Sequence, residues 1–222
     1  MSRPEARSKQ IWTQLGPLLR SSFQVTSPRL PTLSELWPVT SRKHEEARFA
    51  EDNQLRFLKA EYVCHSYVLL TQELVAALRS FVDSFDLAAE LACGPGWLTY
   101  WLWRYGCRSL QDAVDDESGT RSAYHSFVCR EDALSYLRRT PEMSLYILAW
   151  PPPNALAFEL WEALRPGQWL LYIGEVGGCT AEERFDRVVR QETRTVPKMA
   201  LLRRVYRSLP GAEDDLYLLQ KD

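Results

Sequence analysis

The sequence predicts an α/β fold: a doubly wound, mostly parallel sheet of Rossmann-like type, preceded by an N-terminal helical extension. Three observations predict it. Short apolar runs alternate with helix-period segments from Asp86 onward, in the order β-α-β-α-β-α-β-α-β. One run, Ser144 to Trp150 (SLYILAW), is almost continuously apolar, as suits a central strand buried on both faces. The first run ends in a glycine turn, Ala92-Cys93-Gly94-Pro95-Gly96, which leads straight into a helical pattern.

Residues 1–60 read as a helical or irregular extension and residues 61–222 as the α/β domain. In the extension, Ile11, Leu15, Leu18 and Leu19 fall on one helical face. Residues 21–40 are rich in Ser, Thr and Pro, which argues against long regular elements, although Leu33, Leu36 and Trp37 fit one helical turn. Ser41 to Ala60 again favours helix. Basic residues of the extension are interleaved with acids, so a solvated helix surface is a better reading than a nucleic-acid arm.

In the domain, Thr71 is a good N-cap for a helix with an apolar stripe of Leu74, Leu78 and Phe81, and Glu73 suits its positive start. Asp86 to Leu91 is the first strand. After the glycine turn, Leu98, Trp101, Leu102 and Tyr105 recur at helical spacing, and Gly106 sits where that helix would stop. Leu110 to Val114 is the second strand, closed by Asp115 and Asp116. A short helical segment to about Tyr124 follows, then a strand at Phe127 to Cys129. Asp132 caps a helix over Ala133 to Arg139, which Pro141 ends. Beyond the fourth strand, Pro151 to Pro153 break the chain. Asn154 then caps a helix with Leu156, Leu160, Trp161 and Leu164 on one side. Gln168 to Gly174 is the fifth strand. Thr180 and Glu183 form a capping-box pattern for a helix to about Arg190. Residues 198–207 and 215–220 are the candidate last strands.

Bulk properties narrow the function classes. A chain of 222 residues fits one domain with an appendage. A net charge of −2 gives no global electrostatic case for nucleic-acid or membrane binding. No apolar run is long enough for a transmembrane helix, and MSRPEARSKQ lacks the apolar core of a secretory signal. The expectation is a cytoplasmic protein with no membrane partner. Five scattered cysteines, without a C-x-x-C pair, imply neither a disulfide framework nor a zinc site.

The chemistry concentrates in residues 86–119. A glycine turn lets backbone approach a ligand without an intervening Cβ. An acid ending the next strand can accept hydrogen bonds from a ribose diol, and Asp115 follows Gly96 by 19 positions, near the spacing for that role. The plain alternative is a tight, empty turn.

The form ELACGPG, with Glu90, Gly94 and Gly96, together with the following acid, resembles motif I and the acidic motif of class I S-adenosylmethionine (SAM)-dependent methyltransferases. Ala92 stands where the family commonly has a further glycine. The third glycine of a dinucleotide-binding G-x-G-x-x-G is missing. The resemblance covers roughly residues 62–222 and implies SAM as cofactor. It gives Gly94 and Gly96 the turn, Glu90 the amino-acid moiety, Asp115 (with Asp116 beside it) the ribose, and Asp132 the adenine amino group. It also sets Tyr67, Thr71 and Trp150 beside the cofactor; plain packing is the alternative for Tyr67. In the family the last two strands form an antiparallel pair at a sheet edge.

The end of the fourth strand faces the methyl group in such folds. Here it reads Trp150-Pro151-Pro152-Pro153-Asn154, a partial likeness to the D/N-P-P-aromatic motif of amino-methylating nucleic-acid enzymes. Trp150 replaces the amine acceptor, Pro153 replaces the aromatic, and Asn154 is out of register. Trp150 can still stack a planar substrate. Glu175 is a candidate base or anchor, with a solvated loop acid as the alternative, and His125 reads as a surface residue. The expected function is SAM-dependent methyl transfer to an unidentified acceptor, with Trp150, Asn154 and Glu175 facing the substrate. The alternatives are an inert methyltransferase-like scaffold, or a nucleic-acid amine methyltransferase helped by Arg138, Arg139, Arg203, Arg204 and Arg207. Oligomeric state is not legible.

Overall fold

The computed structural model describes residues 21–23, 29–35, 62–118, 125–209 and 212–222. The sequence readings for residues 1–20, 36–61 and 119–124 lie outside them, including both long helical stretches of the extension.

The described elements alternate as expected. They are α1 (Gln72–Val82), β1 (Ala88–Leu91), α2 (Trp97–Arg104), β2 (Leu110–Asp115), β3 (Cys129–Arg130), α3 (Ala133–Arg139), β4 (Leu145–Ala149), α4 (Leu156–Ala163), β5 (Trp169–Gly174), α5 (Glu183–Glu192), α6 (Pro197–Val205) and β6 (Asp215–Gln220). The six strands form one sheet in the order β3-β2-β1-β4-β5-β6. The first five are parallel, and β6 runs antiparallel to β5 at the edge.

Strand alternation divides the core between the two faces. On β4, Leu145 and Ile147 join a cluster with α1, α2 and α6, while Tyr146 and Leu148 join another with α3, α4 and α5. All four side chains are buried, and the one hydroxyl among them, on Tyr146, donates to Thr140 O. Two caps match their sequence signals. Thr71 Oγ1 accepts from Leu74 N at 3.1 Å, and an Asp132 carboxylate oxygen accepts from Ser135 N at 2.8 Å. Part of the extension is tied to α1: Gln72 N donates to Pro31 O, Gln72 Nε2 to Leu30 O, and Leu33 N to Glu73 Oε2.

Three expectations are corrected. Residues 197–205 form helix α6 and not a strand, so β6 alone supplies the antiparallel edge. Pro197 opens α6, where its missing N–H costs nothing, and Met199 and Leu202 bury one stripe. The capping box at Thr180 does not form. The helix starts at Glu183, and buried Thr180 Oγ1 instead bonds the backbone of Glu175 and the Tyr172 hydroxyl. The third strand lies at Cys129–Arg130, after a turn that takes in Phe127.

Candidate functional site

Beyond β1 the chain builds the β2–β3 side of the sheet; beyond β4 it builds the β5–β6 side. Open α/β sheets bind ligands at such a reversal, outside the carboxyl ends of the strands. A cavity of about 670 Å³ opens there, a size usual for small-molecule sites. Its walls are the β1 turn, the end of β2, the start of α3, the segment after β4, and the stretch ahead of α1.

Glu90 lies in the cavity floor and is almost wholly buried. Its two hydrogen bonds, from Thr99 N and Thr99 Oγ1, both fall on Oε2. Burial pushes the carboxyl up to about 7 against the pull of those bonds, and the nearby Asp115 charge adds to the rise. Burial, followed by the Glu90 and Asp115 charges, drives the Cys93 thiol far above the ordinary thiol range, so this lining cysteine stays protonated.

The turn and the acid expected to work together are in contact. Gly94 N donates to Asp115 Oδ2 at 2.9 Å, and Glu117 N donates to Oδ1 at 2.7 Å. These bonds fix the carboxylate at the end of β2, on the cavity wall. Gly94 has φ +55°, and a Cβ added there would meet open space. Gly96 has φ +85°, and its Cβ would sit 2.7 Å from Val128 Cγ2. Gly94 therefore keeps the wall low, whereas Gly96 lets α2 start against the strap that leads to β3. Ala92, also on the wall, takes the left-handed conformation with φ +50°, at a cost of about 1–2 kcal/mol for a residue with a Cβ.

Asp116 and Asp132 line the same wall. Hydrogen bonds from the Ser118 side chain and backbone hold Asp116 below the usual carboxylate range. Asp132 caps α3 and borders the cavity at once.

The opposite wall is largely apolar. Trp150 leaves β4 in the left-handed region, φ +53°, with its N–H on Ile173 O at 2.8 Å. Its ring stacks on Tyr67, with centroids 5.0 Å apart and planes 19° apart. Pro151 to Pro153 and Asn154 continue this wall, and Asn154 Oδ1 accepts from Leu156 N at the head of α4. Of the proposed site residues, Tyr67, Glu90, Ala92, Gly94, Asp115, Asp116, Asp132, Trp150 and Asn154 border the cavity.

Thr71, Gly96 and Glu175 do not border it. Thr71 is buried as the cap of α1, and Gly96 lies under the wall. The Glu175 carboxylate is committed to backbone: Oε2 accepts from Cys179 N and Oε1 from Glu213 N, each at 2.9 Å. It clamps the loop after β5 to the segment just before the edge strand β6. His125 is half-buried and not a surface residue; it stacks between Tyr100 and Phe127, and burial lowers its pKa.

Among the other lining residues, His65 and Ser66 carried no sequence signal and arrive through the fold of the segment ahead of α1, while Cys179, which follows the fifth strand, arrives through the loop that Glu175 holds. The cavity's charge is one-sided. Glu90, Asp115, Asp116, Asp132 and Glu159 line it, and among the described residues no Lys or Arg does. The arginines considered for nucleic-acid contact lie elsewhere: Arg139 pairs with Glu131, while Arg203 and Arg207 donate to backbone carbonyls.

No protein-family model matches the chain, and no curated protein matches it. Solved structures that match include methyltransferases. One is human N-acetylserotonin methyltransferase in complex with SAM, at 14% identity and TM-score 0.42, over 96% of this chain and 67% of that one. Another is an O-methyltransferase family protein from Burkholderia thailandensis, at 15% identity and TM-score 0.40, over 98% of this chain and 70% of that one. A third is an O-methyltransferase from Bacillus cereus in complex with SAH, at 14% identity and TM-score 0.38, over 85% of this chain and 96% of that one. Likenesses of this strength bear on neither ligand nor reaction.

Proposed function

We propose that the chain binds SAM in this cavity and is a methyltransferase. The observation that carries the reading is the acidic lining without a described Lys or Arg, built around the Gly94–Asp115 contact. SAM brings a sulfonium and an ammonium, which five carboxylates favour, and a ribose diol, which an acid at the end of β2 can hold. A phosphate-bearing dinucleotide would meet repulsion instead.

Glu90 supplies the buried negative charge facing the ammonium, and Asp115 accepts from the diol. Gly94 gives backbone-level access, and Asp116 and Asp132 border the adenosine end. SAM, when bound, supplies a methyl group already activated by the positive sulfur. The protein's remaining work is to hold the acceptor in line and to exclude water. Trp150 and Asn154 stand on the wall where that acceptor is held.

Two other readings meet this geometry differently. An inert scaffold draws support from Trp150-Pro151-Pro152-Pro153, where an amine-accepting side chain is missing. A nucleic-acid enzyme would have to bring a polyanion to an acidic cavity, which weighs against it. Transfer of a labelled methyl group from SAM to components of a small-molecule extract tests the proposal. Label incorporation that Asp115→Ala abolishes is the expected result. Tight SAM binding with no transfer to small molecules, RNA or protein would establish the scaffold instead.

A further inference from the structure

The apolar wall holds one arrangement beyond the SAM contacts proposed above. Trp150 is fixed from behind by Asp214, in the segment just before β6. Trp150 Nε1 donates to Asp214 Oδ2 at 2.9 Å, and the Tyr206 hydroxyl donates to the same oxygen. Asp214 is buried, and its Oδ1 has no partner among the described residues. A buried carboxylate with one oxygen unpaired is a costly way to stabilise a fold, so its use calls for a reason. Here it sets the indole plane. Tyr67 lies flat against that plane and remains 47% exposed, one of two large hydrophobic residues so open among those described.

The surroundings limit what could join the stack. Pro151, Pro152 and Pro153 follow Trp150 along the wall. Three prolines in succession offer no backbone N–H, so a carboxylate or phosphate finds no donor there. The lining adds five carboxylates and no described Lys or Arg, which repels anions further. What remains favourable is a flat π face with neutral or positive charge.

We propose that this wall is an acceptor site for a planar, non-anionic aromatic small molecule, stacked on the Trp150–Tyr67 pair, with Asp214 as the positioning residue that sets Trp150. Its role as the methyl acceptor rests on the SAM reading above. Stacking itself does not, so the two can fail separately.

The test uses the full chain, with and without saturating S-adenosylhomocysteine, titrated calorimetrically with 2-naphthol, its saturated counterpart decahydro-2-naphthol, and anionic 2-naphthoate. The flat neutral probe is expected to bind about tenfold or more tighter than either control, as stacking energies imply. Tyr67→Ala, at an exposed position, is expected to weaken 2-naphthol about tenfold, and by more than it weakens S-adenosylhomocysteine. Asp214→Ala is expected to do the same, and Asp214→Asn, which keeps an acceptor oxygen for the indole N–H, to restore most of the loss. A purely structural Asp214 would lower thermal stability in both variants without this selective loss and rescue. Equal binding of the flat and saturated probes, or full naphthol affinity in Tyr67→Ala, would overturn the proposal even where S-adenosylhomocysteine binds normally. Selective naphthol binding without any S-adenosylhomocysteine binding would uphold the stacking site and overturn the SAM reading.

Discussion

Glu90 ties the cavity to pH. Its folded pKa of about 7 lies above the ordinary 4.5, so the folded protein holds this proton more tightly than the unfolded chain. The resulting stability is fully present below about pH 4.5 and is lost as pH rises through about 7. The loss is about 3 kcal/mol for a wholly buried group. Glu90→Gln should flatten this part of the pH–stability curve, as denaturant unfolding between pH 4.5 and 8 will show. The same ionisation governs a cationic ligand. SAM affinity should rise from pH 6 to pH 8 with proton release, and the variant should lose the rise. A pH-independent affinity in the wild type would remove Glu90 from the cation site.

The two glycines of the turn make a second contrast between neighbours. Gly94→Ala should cost only the left-handed backbone penalty, about 1–2 kcal/mol. Gly96→Ala adds a clash with Val128 and should cost about 2–4 kcal/mol. Ligand affinity should order the other way, since a larger residue at Gly94 stands on the cavity wall. Denaturation midpoints and S-adenosylhomocysteine titrations of the two variants check both orders.

Elements with a local signal were legible in the sequence. Thr71 and Asp132 cap their helices because a short oxygen-bearing side chain at that spot has one obvious partner. Thr71→Ala should cost about 1 kcal/mol in thermal denaturation and leave ligand affinity unchanged, because Thr71 does not line the cavity. Asp132→Ala should cost a similar amount and also weaken ligand, because Asp132 both caps α3 and lines the cavity. Elements whose fate depends on distant partners were not legible. Met199 and Leu202 suit strand or helix; packing against α1 and β6 decides for helix α6. Thr180 and Glu183 have capping-box spacing, but the Glu175 backbone and the Tyr172 hydroxyl claim the threonine first. Glu175 looked like a free acid until the fold brought Glu213 N to it from 38 positions away. The Trp150–Asp214 bond spans 64 positions and left no trace in local pattern.

At the level of the whole molecule, alternation of apolar runs with helical segments was enough to yield the parallel sheet, and the glycine turn and Asp115 both lie at the sheet edge where the cavity opens. The sequence could not show the balance of charge around the cavity, since its acids come from β1, β2, α3 and α4. No helix among the described residues is long and apolar enough to cross a membrane. The central claim is that this cavity holds SAM. It is tested most directly by thermal unfolding of the full chain with and without S-adenosylhomocysteine. Ligand at 100 times its dissociation constant adds about 2.7 kcal/mol. For a chain of this length that raises the midpoint by roughly 5–10 °C. A rise of that order is expected, and Asp115→Ala should lose it. An unchanged midpoint at millimolar ligand would contradict that claim.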